Sequence, residues 1–350
     1  MRWRPIKAAL AAILLLCPAV AQADALARAR IAALSGSERL QLFTLGQAMD
    51  TRRAPVAVTR AMRQALTRSG FYHEGPPALI DRHFGVSPVL AWDDNINGGY
   101  FSDTYDLFGL PFTVSPDNVA RAGIVAGGRL DGSLRYALAE GRTIDLSAGA
   151  ELAWSPRHEI GRGSARLEGC SRNHLSGWTF ADFCASASGL RRELSSSHSV
   201  AVSAGLSRLF ASADAAHELS VELEERRVSE GTQTGLALGW GAVWNRAVTQ
   251  VSVGVATPIP GASATRLRVS ARAGWLWQER PVSVSLWHLQ SGGGMLLGVA
   301  REDRLTGIGL SVQARPGMNV ELTHQVTTST IALFSEARTG LSVRFQLGRR

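Results

Sequence analysis

From about residue 84 to the end of the chain, apolar and polar side chains alternate with a period of two. Ile144, Leu146, Ala148, Ala150, Leu152 and Trp154 alternate with Thr143, Asp145, Ser147, Gly149 and Glu151. Leu267, Val269, Ala271, Ala273 and Trp275 alternate with Arg266, Arg268, Ser270, Arg272 and Gly274. Leu341, Val343, Phe345 and Leu347 alternate with Ser342, Arg344 and Gln346. In an extended chain such a pattern puts the apolar residues on one face and the polar ones on the other. Fourteen segments of this kind are predicted, near 86–93, 119–137, 143–154, 163–170, 178–190, 198–210, 217–226, 233–244, 248–256, 264–276, 281–290, 304–314, 318–326 and 338–348. Many reach the ~9–11 residues that cross a bilayer at a tilt. An even number suits a closed antiparallel barrel, so an all-β transmembrane barrel is the expected fold.

The connections support a barrel with one tight-turn end and one long-loop end. Pro316-Gly317, Glu279-Arg280 and Asn245-Arg246 are tight. Thr327 to Ala337, Ser291 to Asp303 and Asn95 to Asn118 are long and fall on the other side. The stretch between Cys170 and Cys184 lands on the tight side yet is expected to carry a longer turn. Trp92, Trp154, Trp240, Trp244, Trp275 and Trp277 lie at or near strand ends, as aromatic girdles at the two bilayer interfaces would require. A soluble β-sandwich also alternates. It has less need of so many long strands with aromatic ends.

Before the strands the pattern is helical. Leu26, Ile31, Leu34, Leu42, Leu45 and Met49 recur near helical spacing, and Val56 to Leu66 continues it after Pro55. Gly75-Pro76-Pro77 then reads as a linker. The first residues form a secretory signal: basic Arg2, Arg4 and Lys7, an apolar run from Ala8 to Val20, and an Ala21-Gln22-Ala23 cleavage site. The expected organisation is a signal peptide over 1–23, a short helical periplasmic segment and linker over 24–83, and an outer-membrane barrel over 84–350. The helical segment reads as an adaptor, as a plug, or as a poorly ordered stretch.

Composition adds two points. The formal net charge of +8 loses three cations with the signal peptide, and beyond Lys7 every fixed cation is Arg. These Arg residues are scattered among carboxylates, which argues against nucleic acid as a partner. Cys170 and Cys184 would meet an oxidising compartment, so a disulfide is expected between them.

The stretch Ser87-Pro88-Val89-Leu90-Ala91-Trp92-Asp93-Asp94-Asn95-Ile96-Asn97 resembles the opening strand of the C-terminal barrel of the surface lipoprotein assembly modifier family. The resemblance rests on Trp92, Asp93, Asn95, Ile96 and Asn97 and would cover about residues 84–350. It implies a barrel that helps lipoproteins or other protein clients reach the cell surface. Members of that family carry tetratricopeptide repeats before the barrel. Here about sixty residues precede it after the signal, without a 34-residue repeat.

Candidate chemistry is sparse. Asp93-x-Asn95-x-Asn97-Gly98 imitates the start of a calcium loop, but position 104 is Thr where a bidentate Glu would fall. A turn at a strand end explains it as well. The eight His residues sit in no nucleophile motif, so no catalysis and no cofactor are expected. Asp145, Glu151, Glu222, Glu224, Arg266, Arg268, Arg272, Glu321 and Arg344 are the expected lumen-lining charges. The expected partners are outer-membrane lipids, the barrel-assembly machinery and a lipoprotein or secreted client. A porin for small solutes and a structural or adhesive protein are the alternative readings. Heat-modifiable migration on gels is the expected behaviour of the purified protein. A chain that stays soluble without detergent would contradict the barrel.

Overall fold

A computed structural model describes residues 25–49, 56–107 and 109–345. The expected signal peptide lies outside these residues, as does the end of the chain after Phe345. Fourteen strands close into an antiparallel barrel. They are β1 (Ala78–Asp93), β4 (Gly123–Ala139), β5 (Arg142–Ser155), β6 (Ile160–Ser176), β7 (Thr179–Arg191), β8 (Ser196–Ala211), β9 (Ala216–Val228), β10 (Gly231–Val243), β11 (Ala247–Ala256), β12 (Ala264–Trp277), β13 (Arg280–Leu296), β14 (Val299–Arg315), β15 (Met318–Ser329) and β16 (Glu336–Phe345). A small hairpin, β2 (Thr104–Leu107) and β3 (Leu110–Thr113), sits within the long connection from β1 to β4. Strand β1 closes the ring by pairing with both β4 and β16. No described helix is long and apolar enough to cross a membrane.

Directly paired residues share a face of the sheet, so the register carries the sequence alternation round the ring. Asp131, Gly149, Arg166, Ser188 and Ser199 form one inward row. The neighbouring outward row is Leu130, Ala150, Ala165, Gly189 and His198. The outer face leaves large apolar side chains uncovered: Phe84 is 71% exposed, Leu152 71% and Leu223 54%. A protein in water would bury such groups, whereas lipid tails cover them at no cost. Trp92 and Trp154 point outward at the long-loop end, and Trp240, Trp244, Trp275 and Trp277 do so at the tight-turn end, forming two aromatic belts. In the second belt His217 stacks between Phe210 and Trp240.

Three differences from the sequence reading change the picture. Strand β1 opens at Ala78, not near 84, because its first residues pair with the far end of β4 as far as Ala78↔Ala137. Between the cysteines there is no longer turn. β6 runs on to Ser176 and a two-residue turn at Gly177-Trp178 leads into β7. Gly177 has φ +55, which supplies the left-handed backbone such a turn needs. The stretch from Ser291 to Asp303 is not a loop but a hairpin in which β13 and β14 continue past the barrel to Leu296 and Val299.

The helical segment forms α1 (Ala25–Ile31), a short 3-10 turn (Ala32–Ser35), α2 (Glu38–Met49) and α3 (Val56–Arg68). Gly36 at φ +69 turns the chain, and the Ser37 hydroxyl caps α2 by accepting from the Leu40 amide at 3.1 Å. The first part of this segment, residues 25–49, is not a separate periplasmic unit. Ile31, Ala32, Leu40 and Phe43 pack against the inward-facing Phe180, Leu209, Ala216, Val243 and Val248. The reason is that these strand ends carry apolar residues on the lumen side, a face that water would not wet.

Adjacent residues of β9 give a direct test of inside and outside. Leu223→Arg places a charge against lipid near mid-strand and is expected to destabilise the barrel by about 2–4 kcal/mol. Glu222→Arg, one residue away and inward, is expected to cost much less. Urea titration in lipid vesicles measures both; equal losses would mean that the faces are misassigned.

Candidate functional site: the lumen

The lumen is narrowed at both ends. At the tight-turn end α2 and the turn before it meet the wall from β4 round to β12. Arg39 forks onto both carboxylate oxygens of Asp182, with Nη1 at 2.7 Å, and also donates to the Ser207 hydroxyl at 2.8 Å. Its guanidinium lies 4.6 Å from the Phe180 ring centre. Glu38 pairs with Arg135 at 2.8 Å, and Arg135 in turn holds Asp145 at 2.7 Å. Arg172 joins the same group through Asp145 at 2.8 Å. Ser37 donates to Glu218 at 2.5 Å, and Gln250 donates to the Ser35 carbonyl. Phe43 meets Trp178 edge-on, with ring centres 4.9 Å apart.

At the other end the connection after β1 folds back into the barrel. Ile96 is fully buried against Ala91, Val125, Ala153 and Ile160. Its neighbours lash it there. The Asn97 amide donates to the Val119 carbonyl at 2.8 Å, its side-chain oxygen accepts from the Arg121 amide at 3.0 Å, and its carbonyl accepts from the Leu194 amide at 2.8 Å. The Asn95 amide donates to the Gly99 carbonyl at 2.8 Å, and Arg192 donates to the Asn95 carbonyl. Asp93 faces inward and takes Arg162 and Arg192 as partners. Burial pushes the Arg192 pKa below its ordinary value, and the Asp93 carboxylate opposes that shift. The calcium-loop spacing thus serves a turn: its Asn side chains satisfy backbone groups. Farther out, Tyr105, Val114 and Ile331 pack together with Leu296 and Phe334, joining the outer loops.

Between the two constrictions lies a cavity of about 870 Å³ along β1 and β4–β9. Gly and Ser leave room there, and charged side chains interrupt them: His83 with Asp131, Arg129, Arg166 with Glu168, and Arg226. A second space of about 520 Å³ lies beside the plug and is bounded by Arg272, Gln250 and Trp287. Trp287 points inward because Gly307 and Gly309 face it; a side chain at Gly307 would collide with the indole.

The charges expected to line the lumen separate into classes. Asp145 and Glu151 face inward on β5 and bind Arg135 and Arg162, the latter at 3.6 Å. Glu224 holds Arg226 at 2.9 Å, and Glu321 holds Arg344 at 3.1 Å. Arg268, Arg272 and Glu222 lie in inward rows without an ion-pair partner among the described residues. Arg266 is the extra residue of a β-bulge between Thr265 and Leu267, with its guanidinium beside Gly292. Trp92 points out to lipid while Asp93 points in. Cys170 and Cys184 form a disulfide between directly opposed inward positions of β6 and β7, with Cα atoms 4.1 Å apart. Sequence reasoning missed Glu38, Arg39 and Asp182. The only hint was the helix-start signal Gly36-Ser37-Glu38.

No protein-family model matches the chain, and no characterised protein matches it in sequence. Solved structures with a similar arrangement include OccK1 (OpdK) of Pseudomonas aeruginosa, at 10% identity and a TM-score of 0.40 over 76% of this chain and 99% of that one. OccK2 (OpdF) of the same organism, solved with glucuronate, has 8% identity and a TM-score of 0.42 over 77% and 99%. The outer membrane channel DcaP of Acinetobacter baumannii has 11% identity and a TM-score of 0.43 over 79% and 99%. Similarity of this degree carries no information about solute or client.

Asn97→Ala removes the side-chain bonds that hold the in-folded loop. Protease cleavage within 94–122 is expected to become faster while heat-modifiability is retained. Unchanged cleavage would mean that Ile96 alone anchors the loop.

Proposed function

We propose that the chain is an outer-membrane channel for small polar solutes with a preference for anions. The observation that carries this reading is the space of about 870 Å³ inside the barrel, lined by Gly, Ser and charged groups. Among the inward charges, Arg129 beside the first space, Arg272 beside the second, and Arg268 have no carboxylate within ion-pair distance among the described residues, and Glu222 likewise has no cation. Fixed cations along a pore favour anions and exclude cations. The apolar outer belt and its two Trp rings fit a bilayer, and a closed barrel with this alternation is the outer-membrane solution to satisfying every backbone group in lipid. Lipids around the belt and the barrel-assembly machinery are its proposed partners, and it performs no catalysis.

Assisted display of a protein client is the second reading. It is carried by the Trp92–Asn97 stretch, which resembles the lipoprotein assembly modifiers. In this chain that stretch ties the outer loop into the lumen, and α1 and α2 lie against the lumen wall instead of forming a free client-binding module.

Planar-bilayer recordings under a KCl gradient test the choice. The expected result is a stepwise conductance with a reversal potential on the chloride side. Arg268→Glu with Arg272→Glu is expected to move that potential toward the potassium side. A barrel that inserts but passes no current under any condition would overturn the channel reading in favour of the second.

A further inference from the structure

The wall of the lumen changes character at the tight-turn end. Higher up, the inward positions are Gly, Ser, Arg and carboxylates. Near the turns they become Leu209, Ala216, Val243, Val248 and Leu276. An apolar inner wall is costly beside water and needs an occupant. The occupant is present: Ile31, Ala32, Leu40 and Phe43 of the N-terminal segment fill this seat. The seat also has matching charges. Glu38 and Arg39, adjacent and opposite in sign, meet Arg135 and Arg172 on one side and Asp182 on the other. Arg172 and Asp182 are directly opposed on β6 and β7, one inward row below the disulfide.

The attachment is of a kind that can be undone. Among the described residues, residues 25–49 add no strand to the barrel ladder. They touch it through side chains and through one carbonyl, that of Ser35. Withdrawing them breaks no β-ladder and leaves every strand paired. The ionic contacts are partly open to lumen water, with the Glu38 side chain 52% exposed and that of Asp182 30% exposed. Such pairs weaken as salt screens them.

We propose that α1 and α2 form a detachable plug that gates the channel, seated by the apolar patch and registered by the Glu38–Arg135/Arg172 and Arg39–Asp182 pairs. The closed state is the one described above. The open state has the segment withdrawn through the tight-turn end, still tethered through α3. This gate rests on the channel reading and adds a switch to it.

The test uses the full-length chain in a Cys17→Ser background, with Leu40→Cys as a reporter of withdrawal, since Leu40 is fully buried in the seat. A membrane-impermeant maleimide labels that position only when the plug leaves. The charge reversal Glu38→Arg with Arg39→Glu is expected to raise the open fraction in planar bilayers at least tenfold and to raise labelling in parallel. Raising the salt on the unreversed chain is expected to do the same in a smaller measure. In a separate variant without the reporter, Ser37→Cys with Glu218→Cys, bridged by a disulfide-containing bis-maleimide, tethers the plug to β9. It is expected to abolish openings until a reductant is added, with the untethered chain under the same reductant as control. Labelling and current that do not respond to charge reversal, salt or tether would overturn the gate and leave a static brace. Labelling that rises with no current in any variant would instead overturn the channel reading.

Discussion

Closure of the ladder is the constraint on which everything else depends. In lipid no water is at hand to satisfy a free N–H or carbonyl, so a sheet that crosses the bilayer cannot keep an open edge. Strand β1 meets this demand by pairing with β4 on one side and β16 on the other. Once the ring is closed, its alternation has only two destinations. Leu, Val, Phe and Trp go to the lipid, and Arg, Asp, Glu, Gly and Ser go to the lumen. The lumen is therefore a consequence of the ladder, and its chemistry is what the polar half of each strand supplies.

That polar half is not uniform, and the departures place the functional features. Gly and Ser rows open space along β4–β8, where paired charges can stand in water. Gly307 and Gly309 make room for the inward Trp287. At the tight-turn end, apolar inner positions collect and are covered by the N-terminal helices. At the other end Ala91, Val125 and Ala153 do the same on a smaller scale and are covered by Ile96. Each apolar patch inside the barrel thus has a segment of the same chain lying on it, and the polar space between is the part left to solvent. The cross-strand disulfide lies just above the rows that grip the plug, so it ties together the two strands carrying Arg172 and Asp182.

Period-two alternation was enough to read the barrel, its fourteen strands and the face on which most charges lie, because alternation in an isolated strand already specifies what must be separated. The Trp positions at strand ends likewise reported the bilayer interfaces. Strand ends were less legible. The run of β6 past Cys170 to Ser176 and the hairpin formed by β13 and β14 depend on pairing partners far along the chain, and local composition at Ser171–His174 or Gly292–Gly294 does not announce them. What the helical segment does was open in the sequence: Leu40 and Phe43 make an apolar stripe that fits an adaptor as well as a plug. Only the closed ring brings Asp182, Arg135 and Glu218 within reach of Arg39, Glu38 and Ser37, because those partners lie on three different strands separated by up to 181 residues from the helix. The alternation is local and so is written in the sequence. The contents of the lumen are set by residues that meet only across a closed barrel, and that meeting is a property of the tertiary structure.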